Sequence, residues 1–256
     1  MVSVVILTTG EAKSVLRDLK NQTHRNFEII LAKERGIVKA MNSALWQAKG
    51  DILVRIDDDV TLPKNWLVEL VKPFSDPQVA GATGPTFVPK DRRQNRDSIR
   101  IAEDPNWFLR WMFDNEPYAL AKIYKCGSVS YGSNFPEVIR RLGIFEPDHL
   151  EGTNWAMRTS LIKMVGGFDP AFDGVAEWFD TDVEQKIKRL GYKLRYNPEA
   201  YLFHMLEKTE NYYDRFEVFG RIENWLRFHK RHSKFHYKKI IWLLMLLGYA
   251  LCPKYR

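Results

Sequence analysis

Short apolar runs and amphipathic stretches alternate through the first 75 residues of this 256-residue chain, and few folds accept that order. VSVVIL (2–7), FEIILA (27–32) and ILVRI (52–56) have the length and β-branched content of buried strands. Between the first two, EAKSVLRDLKNQ sets Val15, Leu16 and Leu19 at helical spacing. IVKAMNSALWQAKG then puts Ala40, Met41, Ala44, Leu45 and Ala48 on one helical face and is expected to stop at Gly50 as a C-terminal glycine. After the third strand, LPKNWLVELVKPF is expected to start a helix with Pro63 near its first turn. A βαβαβα order requires a mostly parallel sheet with right-handed crossovers and helices on both faces. The fold class is therefore α/β, with a Rossmann-like sheet.

Residues 75–150 are less regular, rich in Pro, Gly and charge, and read as later strands with long loops over one sheet edge. Regular structure returns near residue 150. TSLIKMVGGFD predicts a short helix ended by paired glycines, and DTDVEQKIKRLGY a helix with Val183, Ile187 and Leu190 on one face, ended by Gly191. KLRYNP is a strand closed by Pro198. The stretch 211–230 is amphipathic, with Tyr212, Phe216, Phe219, Ile222 and Leu226 expected to form its apolar stripe. The expected organisation is one domain over residues 1–210 and a helical appendage over 211–256.

Cys126 and Cys252 lie far apart, without metal-ligand spacing, which favours a reducing, cytoplasmic setting. The opening MVSVVILTTGEAK has too short an apolar run for a signal peptide and reads as a buried strand. The net charge of +7 suits an anionic partner without choosing among nucleic acid, lipid and phosphorylated substrate. Basic residues gather in RFHKRHSKFHYKK (227–239), directly before the apolar IIWLLMLLGYALC (240–252). That run is short of the ~20 residues a spanning helix needs, so peripheral membrane contact or packing on a partner is expected.

DILVRIDDDVTLP (51–63) drives an apolar strand into three consecutive carboxylates. Ligands of open parallel sheets bind at the carboxyl ends of strands. If the chain stays extended there, Asp57 and Asp59 share a face and Asp58 points away. Two convergent carboxylates suit a hard divalent cation, Mg2+ or Mn2+, that offsets their repulsion. The competing reading is a turn in which Asp59 or Thr61 caps the next helix.

Taken with VSVVILTTG, NQTHRNFEII, EGTNWAMRTSLIKMVGGFDPAFDG, FDTDVEQKIKRLGYKLRYNPEAYLFH and GRIENWLRFHKRH, this segment resembles the family 2 glycosyltransferases of the GT-A fold, over roughly residues 1–232. The resemblance implies an inverting transfer of a sugar, of hexosyltransferase type, from a UDP- or GDP-linked donor to a glycan or lipid-linked acceptor hydroxyl. It implies that Asp57 and Asp59 of an Asp-x-Asp motif hold the metal and the diphosphate, with Asp58 near the ribose. Thr8, Thr9 and Gly10 would line the nucleotide pocket, as would Asn42 of the Ala-x-Asn segment. Where the family usually has an Asp-Asp pair, this chain has Lys33 and Glu34, so Glu34 is the candidate acceptor from a base N–H.

The resemblance also places the general base at Asp180, with Phe179 where glutamate is commoner. Asp180 is expected to be partly desolvated beside Trp178 and Phe179, which favours proton uptake. The alternative is an N-cap for the DVEQKIKRLG helix, with Asp182 supporting its dipole. His204 is a candidate third metal ligand. Gly152, Asn154, Trp155 and Trp178 are candidate acceptor or sugar contacts, because amides bond hydroxyls and indoles stack on sugars; Trp155 is equally a core candidate. Arg221 and Asn224 are expected to hold the amphipathic helix to the domain.

Two other classes remain as alternatives. A sugar nucleotidyltransferase needs a glycine-rich basic phosphate loop after the first strand, and LTTGEAKS has one glycine. A basic nucleic-acid or membrane-surface module fits the charge, but carboxylates at strand ends oppose nucleic acid, so none is expected. A G-x-G-x-x-G turn, which a dinucleotide dehydrogenase requires, is missing.

Overall fold

The computed structural model describes residues 1–93, 104–130, 132–134, 142–206 and 218–251. β1 (Val2–Leu7) lies between β2 (Phe27–Ala32) and β3 (Ile52–Asp57) and runs parallel to both, with Val2 opposite Phe27 and Ile52. The sheet continues through β7 (Trp155–Arg158), β5 (Val79–Thr83) and β8 (Lys193–Tyr196) in the order β2-β1-β3-β7-β5-β8. β7 is antiparallel to both neighbours, and β5 and β8 are parallel. Five strands therefore point one way and β7 alone opposes them. β4 (Val60–Thr61), β9 (Leu202–His204) and β6 (Thr86–Phe87) form a second, three-stranded sheet.

The helices are α1 (Lys13–Lys20), α2 (Ile37–Gln47), α3 (Trp66–Val71), the single-turn α4 (Lys90–Arg93), α5 (Trp107–Met112), α6 (Thr159–Met164), α7 (Phe179–Lys188), α8 (Val218–His232) and α9 (Tyr237–Leu251). They cover both faces of the large sheet. Leu53 of β3 joins Met41, Leu45, Trp155, Phe179 and Val183 on one side. Val54 and Ile56 join Val15, Leu19, Trp66 and Leu67 on the other. Burial on both faces is why β1 and β3 read as continuous apolar runs, whereas β2, at the sheet edge, leaves Ile29 and Leu31 exposed.

Several expectations need correction. α2 ends at Gln47 with Ala48 extended, so Gly50 is not its cap. Gly50 is needed because β1 passes so close that a Cβ there would sit 2.5 Å from Ser3 N. α3 starts at Trp66, three residues after Pro63, whose carbonyl accepts from Gln22 and Trp66. Neither Asp59 nor Thr61 caps it. Gly166 and Gly167, at φ 90 and 77, do end α6 in the left-handed region.

Leu190 is exposed, beyond the end of α7. On α8 the buried face is Ile222, Asn224, Trp225, Phe228 and His229, whereas Phe219 and Leu226 are exposed; Tyr212 and Phe216 lie outside the described residues. Phe228 reaches the main core, Asn224 Nδ2 donates to Phe172 O at 3.1 Å, and Arg221 pairs with Glu177 at 2.8 Å. These contacts seat α8. The expected boundary at 210–211 falls outside the described residues.

Candidate active site

The three carboxylates stand where β3 stops. The chain turns at Asp58 and Asp59 instead of staying extended, and then enters β4, which pairs antiparallel with β9 so that Val60 faces His204. Met205 N donates to Asp59 O at 2.9 Å and locks that pairing. The consequence is convergence: His204 Nε2 is 3.1 Å from Asp59 Oδ1 and 3.8 Å from Asp57 Oδ2. Asp57, Asp59 and His204 each offer one ligand atom within 4.8 Å of the others, the one such group among the described residues. His204 is buried and both aspartates are half-buried.

Two carboxylate oxygens and one imidazole nitrogen are a donor set that fits Mn2+ and Mg2+, and leaves coordination positions for other oxygens. Thr153 Oγ1 donates to Asp57 Oδ2 at 2.8 Å and fixes its rotamer. Asp58 faces elsewhere, as expected. Its Oδ2 accepts from Thr8 Oγ1, and that hydroxyl accepts from Gly10 N at 2.9 Å, tying the ends of β1 and β3 together. Burial pushes the Asp58 carboxyl above its ordinary range; the Thr8 hydrogen bond opposes this, and the charges of Asp59 and Asp57 add to it.

Arg55 and Asp57 are alternate residues of β3 and share one face. Arg55 Nη1 donates to Asp180 Oδ2 at 2.8 Å, and the guanidinium lies 5.1 Å from the Phe179 ring centroid. Asp180 Oδ1 accepts from Thr181 N at 2.9 Å. Asp180 is therefore in the first turn of α7 as expected, but its neighbour is a buried guanidinium, not the apolar flank of Trp178 and Phe179 alone. Phe179 is core, and Trp178 precedes the helix at φ 72, stacked on Phe228 at 4.4 Å.

Gly152 covers the ion pair without a side chain. A Cβ there would lie 3.1 Å from Asp180 Oδ2 and 3.5 Å from Arg55 Nη1. Asp57, Thr153, Gly152, Asp180 and Arg55 thus form one continuous patch.

Glu184, one turn after Asp180, is fully buried and accepts from Leu150 N at 3.0 Å and Trp155 Nε1 at 2.8 Å. Burial, and then the charge of Asp180, push its carboxyl well above the ordinary range. Trp155 is accordingly a core residue holding α7 to β7, not a sugar platform. Asn154 is also buried, with Oδ1 on Trp66 Nε1 and Nδ2 on the carbonyls of Pro85 and Ala200, so it braces the loop. Asn42 is spent likewise: Nδ2 donates to Phe168 O at 2.7 Å and Oδ1 accepts from Phe168 N at 3.0 Å. These three have scaffold roles because their polar atoms already have partners.

Thr9 and Gly10 are exposed at the end of β1. Glu34, with Lys33, lines a groove of about 280 Å³ between β2 and α2, together with Ile30, Ala40, Ser43 and Gln47. Arg55 and Glu184 escaped the sequence reading. Only Arg55 carried a signal, as a lone charge inside the apolar run ILVRI.

The family described as Glycosyl transferase family 2 matches residues 8–141. Among curated proteins, none matches the chain. Many solved structures share the architecture, and two serve as examples. One is a mannosyltransferase from Pyrobaculum calidifontis in complex with GDP-Man and Mn2+: TM-score 0.54, 16% identity, covering 99% of this chain and 71% of that one. The other is GalNAc-T7 with UDP, GalNAc and Mn2+: TM-score 0.58, 14% identity, covering 90% of this chain and 47% of that one. The family match spans more than half of the chain and agrees with the sheet and the site just described; the chain belongs to glycosyl transferase family 2 and is a glycosyltransferase of the GT-A fold.

Proposed function

We propose that this glycosyltransferase is an inverting enzyme of hexosyltransferase type that moves a sugar from a nucleoside-diphosphate donor to an acceptor hydroxyl, with Asp180 as general base. The observation that carries the reading is the convergence of Asp57, Asp59 and His204 within 4.8 Å at the carboxyl end of β3, on the strand whose Arg55 holds Asp180. Both structural neighbours were crystallised with a nucleotide and Mn2+, which favours the same ligand class here.

Asp57, Asp59 and His204 would hold Mn2+ or Mg2+, and Asp58 with Thr8 and Gly10 would meet the nucleoside. When bound, the cation supplies charge stabilisation to the leaving diphosphate. Asp180 takes the proton of the acceptor hydroxyl as that oxygen attacks the anomeric carbon, while the bond from that carbon to the diphosphate oxygen breaks on the opposite face. One displacement inverts the configuration. Arg55 fixes Oδ2 of the base, which keeps a lone pair for the proton, while Oδ1 accepts from Thr181 N and Thr181 Oγ1. Gly152 adds no side chain over the base.

UDP- and GDP-linked hexoses offered with glycan and lipid-linked acceptors, followed by NMR of the product anomer, test this directly. An inverted glycoside is expected. A product that retains the donor's configuration removes Asp180 from the role of base in a single displacement.

A further inference from the structure

The net positive charge of this protein comes from one end. Residues 224–256 hold eight Lys and Arg and no Asp or Glu, whereas residues 1–223 hold 31 basic against 32 acidic residues. The whole excess of +7 therefore sits in the segment that forms most of α8 and all of α9.

Among the described residues α9 is docked by one face. Ile241 and Trp242 pack on Met112, Phe113, Tyr124 and Cys126, and Lys238 Nζ pairs with Asp114 Oδ1 at 2.8 Å. The opposite face is open and apolar: Ile240 is 50% exposed, Leu244 62% and Leu251 63%. These positions recur at intervals of four and seven residues, which on a helix is one stripe. Phe235, 78% exposed, precedes the stripe, and Trp107, 79% exposed, lies one turn before Trp111, whose ring is 6.2 Å from Tyr237.

A soluble surface seldom shows so continuous an apolar stripe without a partner. At 15 residues α9 is about 22 Å long, less than the ~30 Å of a bilayer core, and no described helix is long and apolar enough to cross a membrane.

We propose that α9 lies in the plane of an anionic lipid surface, its Ile240–Leu244–Leu251 stripe in the headgroup and acyl boundary and the exposed Lys230 and Lys234 before it on the lipid phosphates. A second copy of this chain is the less suitable occupant, because a twofold contact through the same stripe would bring two strongly basic segments together. An anionic bilayer answers both halves of the feature, apolar area and charge.

The test is co-sedimentation of the full chain with vesicles of phosphatidylcholine alone and of phosphatidylcholine with phosphatidylglycerol. It uses neither donor nor acceptor, so its result is independent of the transferase reading. Binding to the anionic vesicles, weakened by salt and much weaker on the neutral ones, is expected. Lys230→Glu with Lys234→Glu should weaken it by about tenfold or more, at ~1 kcal/mol per basic residue near the surface. Ile240→Glu with Leu244→Glu should abolish it while the circular dichroism melt is kept. The proposal is overturned if the wild-type chain stays in the supernatant, or if the Ile240/Leu244 variant still sediments like wild type. It is equally overturned if the stripe instead mediates a lipid-independent dimer that this variant dissolves.

Discussion

Arg55 Nη1 and Asp180 Oδ2 stand 2.8 Å apart although 125 residues separate them in the chain, and this pair joins the metal-binding end of β3 to the first turn of α7. The guanidinium is almost fully buried, so the pair is sheltered from water, and Gly152 covers it without a side chain. If Asp180 is the base, Asp180→Asn keeps the shape and removes the proton acceptor. Transfer should fall by about 100- to 10,000-fold, with donor binding by calorimetry unchanged.

Arg55 acts through Asp180, so its loss should show in kcat and not in donor KM. Arg55→Met is expected to lower kcat by about 100-fold, the cost of a misplaced catalytic group, and Arg55→Lys to recover part of it. Steady-state kinetics over a range of donor concentrations separate the two constants.

Gly152→Ala would press a methyl group to 3.1 Å from Asp180 Oδ2, tighter than nine in ten ordinary contacts. Space is the issue there, since Gly152 is not among the residues with positive φ. The variant should melt close to wild type and lose most transfer activity; an active Gly152→Ala enzyme would mean the acceptor does not approach over this residue.

His229 is buried between α8 and the Gly127 loop, with Nε2 at 3.0 Å from Gly127 O and Nδ1 at 2.8 Å from Ser233 Oγ. Burial lowers its pKa to about 4 from 6.5; the Gly127 contact opposes this, and the charges of Lys239 and His232 add to it. A depressed folded-state pKa means the unfolded chain binds the proton first. The stability His229 confers is complete above pH 6.5 and is lost as pH falls from 6.5 toward 4. Thermal melts at pH 7 and pH 5 should show a drop that His229→Gln reduces.

Much of this architecture was readable from residue order. β1 and β3 matched their sequence runs because both sheet faces are covered there and burial leaves unbroken apolar segments, whereas β2 matched its run as an edge strand that leaves Ile29 and Leu31 exposed. The Asp57–Asp59–His204 group was anticipated, although the reason differs: a turn and the β4–β9 pairing converge these side chains, not an extended strand. Asn42, Asn154 and Trp155 were open between two readings because amide and indole groups suit ligands and scaffolds equally, and in the fold their partners are scaffold groups. The α8 stripe was misplaced because its buried face includes Asn224 and His229, polar residues that find carbonyl partners only in the folded chain. The Arg55–Asp180 pair depends on tertiary structure that no local pattern encodes.

The most direct measurement is calorimetric titration of a nucleoside diphosphate into the protein with and without Mn2+, on wild type and on Asp59→Ala. Metal-dependent binding in the wild type that vanishes in Asp59→Ala is the predicted result. Equal binding by both proteins, or binding indifferent to Mn2+, would contradict a cation held by Asp57, Asp59 and His204.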